Sequence, residues 1–260
     1  MADSKLSPRQ KMINMMYLVL TAMLALNVSA EILQAFDSLR ASLHETASAH
    51  GDNNSDLSKD IRRTIENQEK GDNHKYSALK PVLTDINTQT TQTISYLDGL
   101  IAELEEIGDK DPVTGELIRK EETTKNYSWW LGNDQSNDGH GDGKAVELRK
   151  KLTEFITWAN ANYLKYDSSA KPNPTHFKSL VIEPSEDPNV TATTSKGHTW
   201  EYFNFHEKPV IADMALVEKF KMDVRDVQAG LLNQVKGLVA GFTYTVDSLI
   251  AFEAPSSEVV

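Results

Sequence analysis

The residues best suited to chemistry in this 260-residue chain fall just short of the patterns they suggest. His44-Glu45 begins like a zinc-protease helix. The second imidazole would have to stand one turn on, at Ser48, so the one-face pair that grips a metal is missing. Gly139, Gly141, Gly143 and Lys144 precede a helical stretch in the manner of a phosphate loop. Their spacing is one residue short, Ala145 stands where the hydroxyl belongs, and no strand comes before. Asp134, Ser136, Asp138, Gly139 and Asp142 are spaced like a calcium loop, but Ala145 replaces the bidentate glutamate. The seven histidines are scattered, and the absence of cysteine excludes disulfides, thiolate metal sites and cysteine nucleophiles. With no acid–base or nucleophile constellation left, the expectation is a non-enzyme without metal or cofactor.

The polar residues that do stand out sit where they are costly. Asn14, Tyr17 and Thr21 interrupt an apolar run and share one helical face with Leu24. A polar stripe on an apolar helix suggests a face that meets protein rather than lipid. Arg9 lies one turn before the run. Physics alone leaves two readings for it, a snorkelling positive-inside anchor or a functional charge.

The element that carries these residues is residues 12–28, MINMMYLVLTAMLALNV, 17 residues without a charge. They cover roughly 25 Å as a helix, short but sufficient for a hydrocarbon core of about 30 Å. Basic residues precede the run and Glu31 and Asp37 follow it, which places the N-terminus in the cytoplasm and the body outside. A cleaved signal peptide ending at Val28-Ser29-Ala30 is the alternative. Against it, Ser7-Pro8-Arg9-Gln10 reads as a capped helix start. Ile32, Leu33, Phe36, Leu39 and Leu43 also continue the helical spacing past that point. The expected helix runs from Pro8 to about Ala49.

Downstream, Leu79, Leu83, Ile86, Thr90, Thr93, Leu97, Leu100, Leu104 and Ile107 form a heptad seam ended by Gly108. A shorter stripe, Leu57, Ile61 and Ile65, precedes it. Ala145, Leu148, Leu152, Phe155, Ala159 and Tyr163 make a third stripe. Val217, Phe220, Val224, Val227, Leu231 and Leu238 make a fourth, after Pro209. Stripes of this length demand partner helices, and an up-down bundle is the economical packing. Aromatic clusters at Tyr127, Trp129, Trp130 and at Trp200, Tyr202, Phe203, Phe205 are expected to wedge loops onto that core. After Gly241, Phe242, Tyr244 and Val246 alternate, as in extended chain.

The fold expected is therefore all-α: a single N-terminal transmembrane helix continuing into a periplasmic up-down bundle, with the start of a β-domain at the C-terminal end. The segments are 1–11 cytoplasmic, 12–30 transmembrane, 31–240 bundle, and 241–260 linker and first strand of a truncated β-domain. Lys5, Arg9 and Lys11 against Asp3 make residues 1–30 net +2, which leaves −13 for the rest of a chain of −11. An acidic body repels phosphate, so nucleic acid is not an expected partner. The polar stripe of the span and the seam of 79–107 both want partners, and a homodimer is the simplest supply.

The stretch KLSPRQKMINMMYLVLTAMLALNVSAEIL (5–33) resembles the N-terminus of the GldM/PorM family of the type IX secretion and gliding machinery. NF at 204–205, Pro209 and KFKMDVRDVQ (219–228) resemble the last helix of that family's first periplasmic domain. Members are about twice as long as this chain, so the resemblance implies the membrane helix plus the first periplasmic domain. It further implies a component of a proton-motive-force-driven inner-membrane motor. Two such helices would pass through a ring of GldL-type polytopic subunits, and motion would travel along a periplasmic shaft towards outer-membrane secretion components. The family's membrane-embedded arginine falls on Arg9, where it would face acidic residues of the ring, with Asn14, Tyr17 and Thr21 alongside. A membrane-anchored periplasmic sensor or receptor is the rival reading. It needs a second membrane helix to return a signal, and in 31–260 charges interrupt every apolar run.

Overall fold

The computed structural model describes residues 8–71, 74–133, 140–163, 176–187, 190 and 198–240, without the side chains of residues 8, 21–29 and 240. Six helices carry it: α1 (Pro8–Lys70), α2 (Leu79–Ile107), α3 (Thr124–Leu131), α4 (Lys144–Tyr163), α5 (Trp200–Phe205) and α6 (Val210–Ala240). A 3-10 turn, His74–Tyr76, lies between α1 and α2. Among the described residues there is no strand, only an isolated antiparallel bridge between Lys110 and Leu117.

α1 is a single helix of 63 residues, about 95 Å long. It starts at Pro8, as the sequence predicts, but it does not end near Ala49. Gly51-Asp52-Asn53-Asn54-Ser55 is poor helix-forming sequence, and the glycine alone costs about 1 kcal/mol against alanine. Tertiary contacts offset this. Asn54 is buried and donates from Nδ2 to the Arg225 carbonyl at 2.8 Å and to Gln228 Oε1 at 3.1 Å. A Cβ on Gly51 would stand 3.2 Å from the Arg225 guanidinium, so glycine lets that side chain lie against the helix. The stripe Leu57, Ile61 and Ile65 thus belongs to α1 itself.

α6 is the central strut. α1 and α2 both lie along it and barely touch each other, while α4, α3 and α5 close the remaining side. α6 begins just behind Pro209 and is buried along Val210, Ile211, Met214, Val217, Phe220, Val224, Val227 and Leu231. Its first two N–H groups are capped from outside: Val210 donates to the Glu122 carbonyl at 3.0 Å and Ile211 to that of Lys120 at 3.3 Å. α4 buries Ala145, Leu148, Leu152, Phe155 and Ala159 as expected. α2 departs from its heptad at one place. The buried residue after Thr90 is Ile94, not Thr93, whose hydroxyl donates to the Gln89 carbonyl at 2.9 Å. The stripe takes a step of four to Ile94 and then a step of three to Leu97, where it rejoins the heptad.

The aromatic clusters do wedge the short helices onto the core. Trp130 stacks on Phe205 with centroids 3.9 Å apart, and Trp200 meets Phe205 edge-on at 5.6 Å. All three rings are buried. α2 ends at Gly108, whose N–H donates to the Leu104 carbonyl at 2.9 Å. A Cβ there would come within 2.6 Å of the Leu117 side chain, so glycine lets Leu117 pack against the end of α2 without shifting.

The N-terminal third of α1 has different surroundings. Met12, Met15, Tyr17 and Leu18 are 77%, 70%, 63% and 71% exposed. Among the described residues no helix is long and apolar enough to cross a membrane. The expected span at 12–30 includes residues 21–29, whose side chains are not among those described. The strand and β-domain expected at 241–260 lie outside the described residues, as do Asp134, Ser136, Asp138 and Gly139 of the calcium-like loop.

Candidate functional site

The polar side-chain clusters of the described residues join one helix to another. None brings together three or more potential metal ligands able to hold an ion. Asp142, the described end of the calcium-like loop, spends its Oδ1 on the Asn133 backbone N–H at 2.6 Å. His44 does not face a second imidazole; its Nδ1 lies 2.9 Å from Glu218 Oε1. The feature that stands out is the seam along which α1 is fastened to α6 and α2.

That seam is a ladder of polar contacts between residues some 170 positions apart in sequence. Its first rung is His44 with Glu218. Glu218 is buried and lies 3.1 Å from the buried Lys221, which in turn pairs with Asp98 of α2 at 2.7 Å. The second rung is His50 Nδ1 to Asp226 Oδ1 at 2.7 Å. The third is Asn54 with Arg225 and Gln228, described above. The fourth joins all three helices: Gln228 Nε2 donates to Asn87 Oδ1 at 3.1 Å, and Asn87 Nδ2 donates to Ser58 Oγ at 2.8 Å. Below it the seam turns apolar at Ile61 and Ile65. Above it Lys120 reaches Asp37 at 2.6 Å, with Arg40 at 3.2 Å. Burial raises the Asp37 carboxyl, but Lys120 and then Arg40 outweigh it, so Asp37 ionises below the usual carboxylate range.

Such a ladder does what an apolar seam does not. Apolar ridges accept a one-turn slip of about 5.4 Å with little penalty. The same slip here would leave Asn54, Gln228 and Glu218 buried without partners, at about 1–3 kcal/mol for each neutral group and more for the charge. α1 is therefore fixed in register, and a push or twist on its free end is delivered to α6 and α2.

Two further polar clusters brace the bundle away from the seam. Glu201 is fully buried and is held by His140 at 2.9 Å and Arg149 at 3.2 Å, while Arg149 also pairs with Glu183. This ties α5 and two loops to α4. Asp213, fully buried in the first turn of α6, accepts from Asn126 Nδ2 at 2.6 Å. Burial raises its carboxyl well above the ordinary value, and Asn126, Lys208 and Trp130 offset only part of this. Burial likewise lowers the Lys208 ammonium, against the opposing pull of Asp213.

The residues singled out in the sequence, Arg9, Asn14, Tyr17 and Thr21, all lie on α1, far from this seam. Arg9, Asn14 and Tyr17 are exposed, and the Thr21 side chain is outside the described set. At about 100° per residue, Asn14, Tyr17 and Thr21 fall within roughly 60° of one another. Arg9 sits about 80° from Tyr17 and about 140° from Asn14. The stripe is thus a shared face, and Arg9 looks elsewhere. Apart from His44, which stands out only as half of a metal motif, the seam residues are illegible in the sequence because each is an ordinary polar residue on a helix. The one available signal was the Gly51–Ser55 run in mid-helix, which marks a place where packing overrides propensity.

No curated protein matches the chain. The family model of the GldM N-terminal domain matches residues 31–237, most of the chain and all of the bundle from α2 to the last turns of α6. It also includes α1 from Glu31 onward, with every rung of the seam. Membership associates a chain with the gliding and type IX secretion machinery. By a match over that length the chain belongs to the GldM family, and the bundle described above is its N-terminal domain.

Proposed function

We propose that this chain is the coupling rod of a proton-motive-force-driven motor in the inner membrane, and that it is not an enzyme. The observation that carries this reading is the continuity of α1 from Pro8 to Lys70, with one end apolar and exposed and the other locked to α6. In this account residues 12–30 cross the membrane once, with residues 1–11 in the cytoplasm and the body in the periplasm. Two copies pair as a homodimer inside a ring of GldL-type subunits, and movement imposed on the spans passes without a joint into the bundle and onward to outer-membrane components.

Arg9 supplies the electrostatics. A guanidinium keeps its proton in a protein, so it is a fixed counter-charge and not a proton carrier. Beside a ring carboxylate it favours the ionised form and lowers that group's pKa. A proton that neutralises the carboxylate cancels the attraction and releases the ring to the next position. Asn14, Tyr17 and Thr21, on their separate face, supply the helix-to-helix contact between the two copies or with the ring.

The test is a substitution series at Arg9 in cells, read as membrane insertion, complex assembly and secretion. Arg9→Ala and Arg9→Gln are expected to insert and assemble yet lose secretion and gliding, with Arg9→Lys retaining part because it keeps charge but not the fork. Secretion at the native rate by an assembled Arg9→Ala protein would reduce Arg9 to a topology anchor.

A further inference from the structure

Because α1 and α2 both lie on α6 and barely touch each other, a furrow runs between them with α6 as its floor. At its middle it deepens into a cleft of about 500 Å³. Shallower grooves continue it in both directions, one sharing Ser48 and Arg225 with it, the other Arg62, Asn87 and Thr91. No apolar side chain lines the central cleft. Its walls carry the hydroxyls of Ser48, Ser55 and Thr91 and the amides of Asn87 and Gln228, and the guanidinium of Arg225 lies in its floor.

Arg225 is the unusual group. It is half-buried, yet no carboxylate lies within ion-pair distance of it among the described residues. Burial lowers its guanidinium below the ordinary arginine value, with Asp98 and Asp52 acting only at longer range. Of its five N–H donors, Nη1 is engaged by Gln228 Oε1 at 3.1 Å, and Gln228 is the acceptor the described residues provide. The side chain is nonetheless held in place. Its carbonyl accepts from Asn54, its partner Gln228 is fixed by Asn54 and Asn87, and the missing side chain of Gly51 makes its bed. Arg62, at the rim, donates to Thr84 Oγ1 at 3.3 Å and likewise has no carboxylate within ion-pair distance among the described residues. The other rim cation, Lys59, is neutralised by Asp56 at 2.8 Å. Asp52 is thus the one carboxylate in the lining against two uncompensated guanidinium groups, inside a body that is strongly acidic overall.

A half-buried, pre-positioned guanidinium with donors to spare, surrounded by hydroxyls and amides, is a receptor for an oxyanion on a hydroxyl-bearing body. We infer that this cleft binds a sugar acid or a sugar phosphate, with its carboxylate or phosphate on Arg225 and Arg62 and its hydroxyls on the serine, threonine and amide walls. Bound there, the ligand would bridge α1, α2 and α6 at the level of the polar ladder and stiffen the seam that transmits motion.

The test is calorimetric titration of the full chain in detergent with glucuronate, glucose 1-phosphate and glucose, with the melting temperature followed in parallel. The expected result is saturable binding of glucuronate or glucose 1-phosphate and none of glucose, with the tighter of the two anions naming the headgroup. Arg225→Gln should weaken that binding by at least about tenfold, while the unliganded protein melts no lower than wild type, since it loses a desolvated charge. Gly51→Ala, which removes a mid-helix glycine and so favours α1, should also weaken binding by crowding the guanidinium. No saturable binding by either anion, equal binding of glucose, or undiminished binding by a folded Arg225→Gln protein would each overturn the inference.

Discussion

The N-terminal and later parts of α1 are one helix in opposite company. From Met12 to Leu20 its large apolar side chains are exposed, and nothing among the described residues covers them. From Ala47 to Ile65 the apolar side chains are few, Ala47, Ile61 and Ile65 are buried, and polar residues such as Asn54 and Ser58 are buried with them, each with a partner. The exposed third is the kind of surface that needs lipid or another protein around it. The buried part is the kind that needs a particular partner in a particular register. The difference teaches that one helix can be held in a fixed register at one end while its other end keeps an apolar surface for something else to meet, which is what the proposed coupling role requires.

That contrast can be broken at the held end first. Glu218→Ala leaves Lys221 buried with only the half-exposed Asp98 as counter-ion. A loss of about 3 kcal/mol is expected in denaturant unfolding, whereas Glu218→Gln, which keeps the shape, loses less. A paired comparison follows along the helix. Ile65→Ala, at a fully buried site, should cost about 2–5 kcal/mol of bundle stability. Leu18→Ala, at an exposed one, should stay within about 0.5 kcal/mol in the same assay. Equal effects would mean that the two ends are not differently held.

A pH slope sharpens the account further. Asp213 keeps its proton in the folded chain to well above its ordinary value, because burial outweighs Asn126. Between the unfolded carboxyl value near 3.9 and the raised folded one, the folded state binds the extra proton, so rising pH removes stability and the loss ends above the folded value. Asp37 has the opposite sign, being depressed, and contributes stability that is lost as pH falls through its folded value. Asp213→Asn removes the first slope and leaves the second. Its stability relative to wild type should therefore grow from pH 4 to pH 7 in parallel unfolding titrations; a constant difference would show that Asp213 is ionised in the folded state.

Much of the fold is legible in the sequence, because burial on a helix writes itself as periodicity. Leu83, Ile86, Leu97 and Leu148, Leu152, Phe155 mark α2 and α4 directly, and Pro209 marks the start of α6. The failures are local. A strict 4-3 alternation favours Thr93, whereas the helix buries the larger apolar Ile94 one position on and rejoins the repeat at Leu97. The helix runs on past the expected end near Ala49 because contacts of Asn54 with Arg225 and Gln228, from across the bundle, offset the weak helix propensities of Gly51, Asp52 and Asn53. The seam is illegible for the same reason. Nothing local in His44, Asn54 or Ser58 announces Glu218, Gln228 or Asn87, which lie far along the chain and meet them only after α6 has docked. The exposed stripe of Asn14 and Tyr17 was legible because it is polar in apolar surroundings, a contrast contained within one helix.

The central claim is that movement at the apolar end of α1 reaches the bundle through an unbroken helix. It is tested most directly by placing a break between the two. Ala30 is exposed and helical, about 33 Å from Pro8 and clear of the seam. Proline there removes a backbone donor and clashes with the preceding turn, at a cost of about 3 kcal/mol and with a kink as the outcome. The secretion rate of cells carrying Ala30→Pro, with insertion, assembly and bundle folding verified, is the measurement. The account predicts that secretion collapses while the protein remains in place; secretion at the native rate through a kinked helix would contradict it.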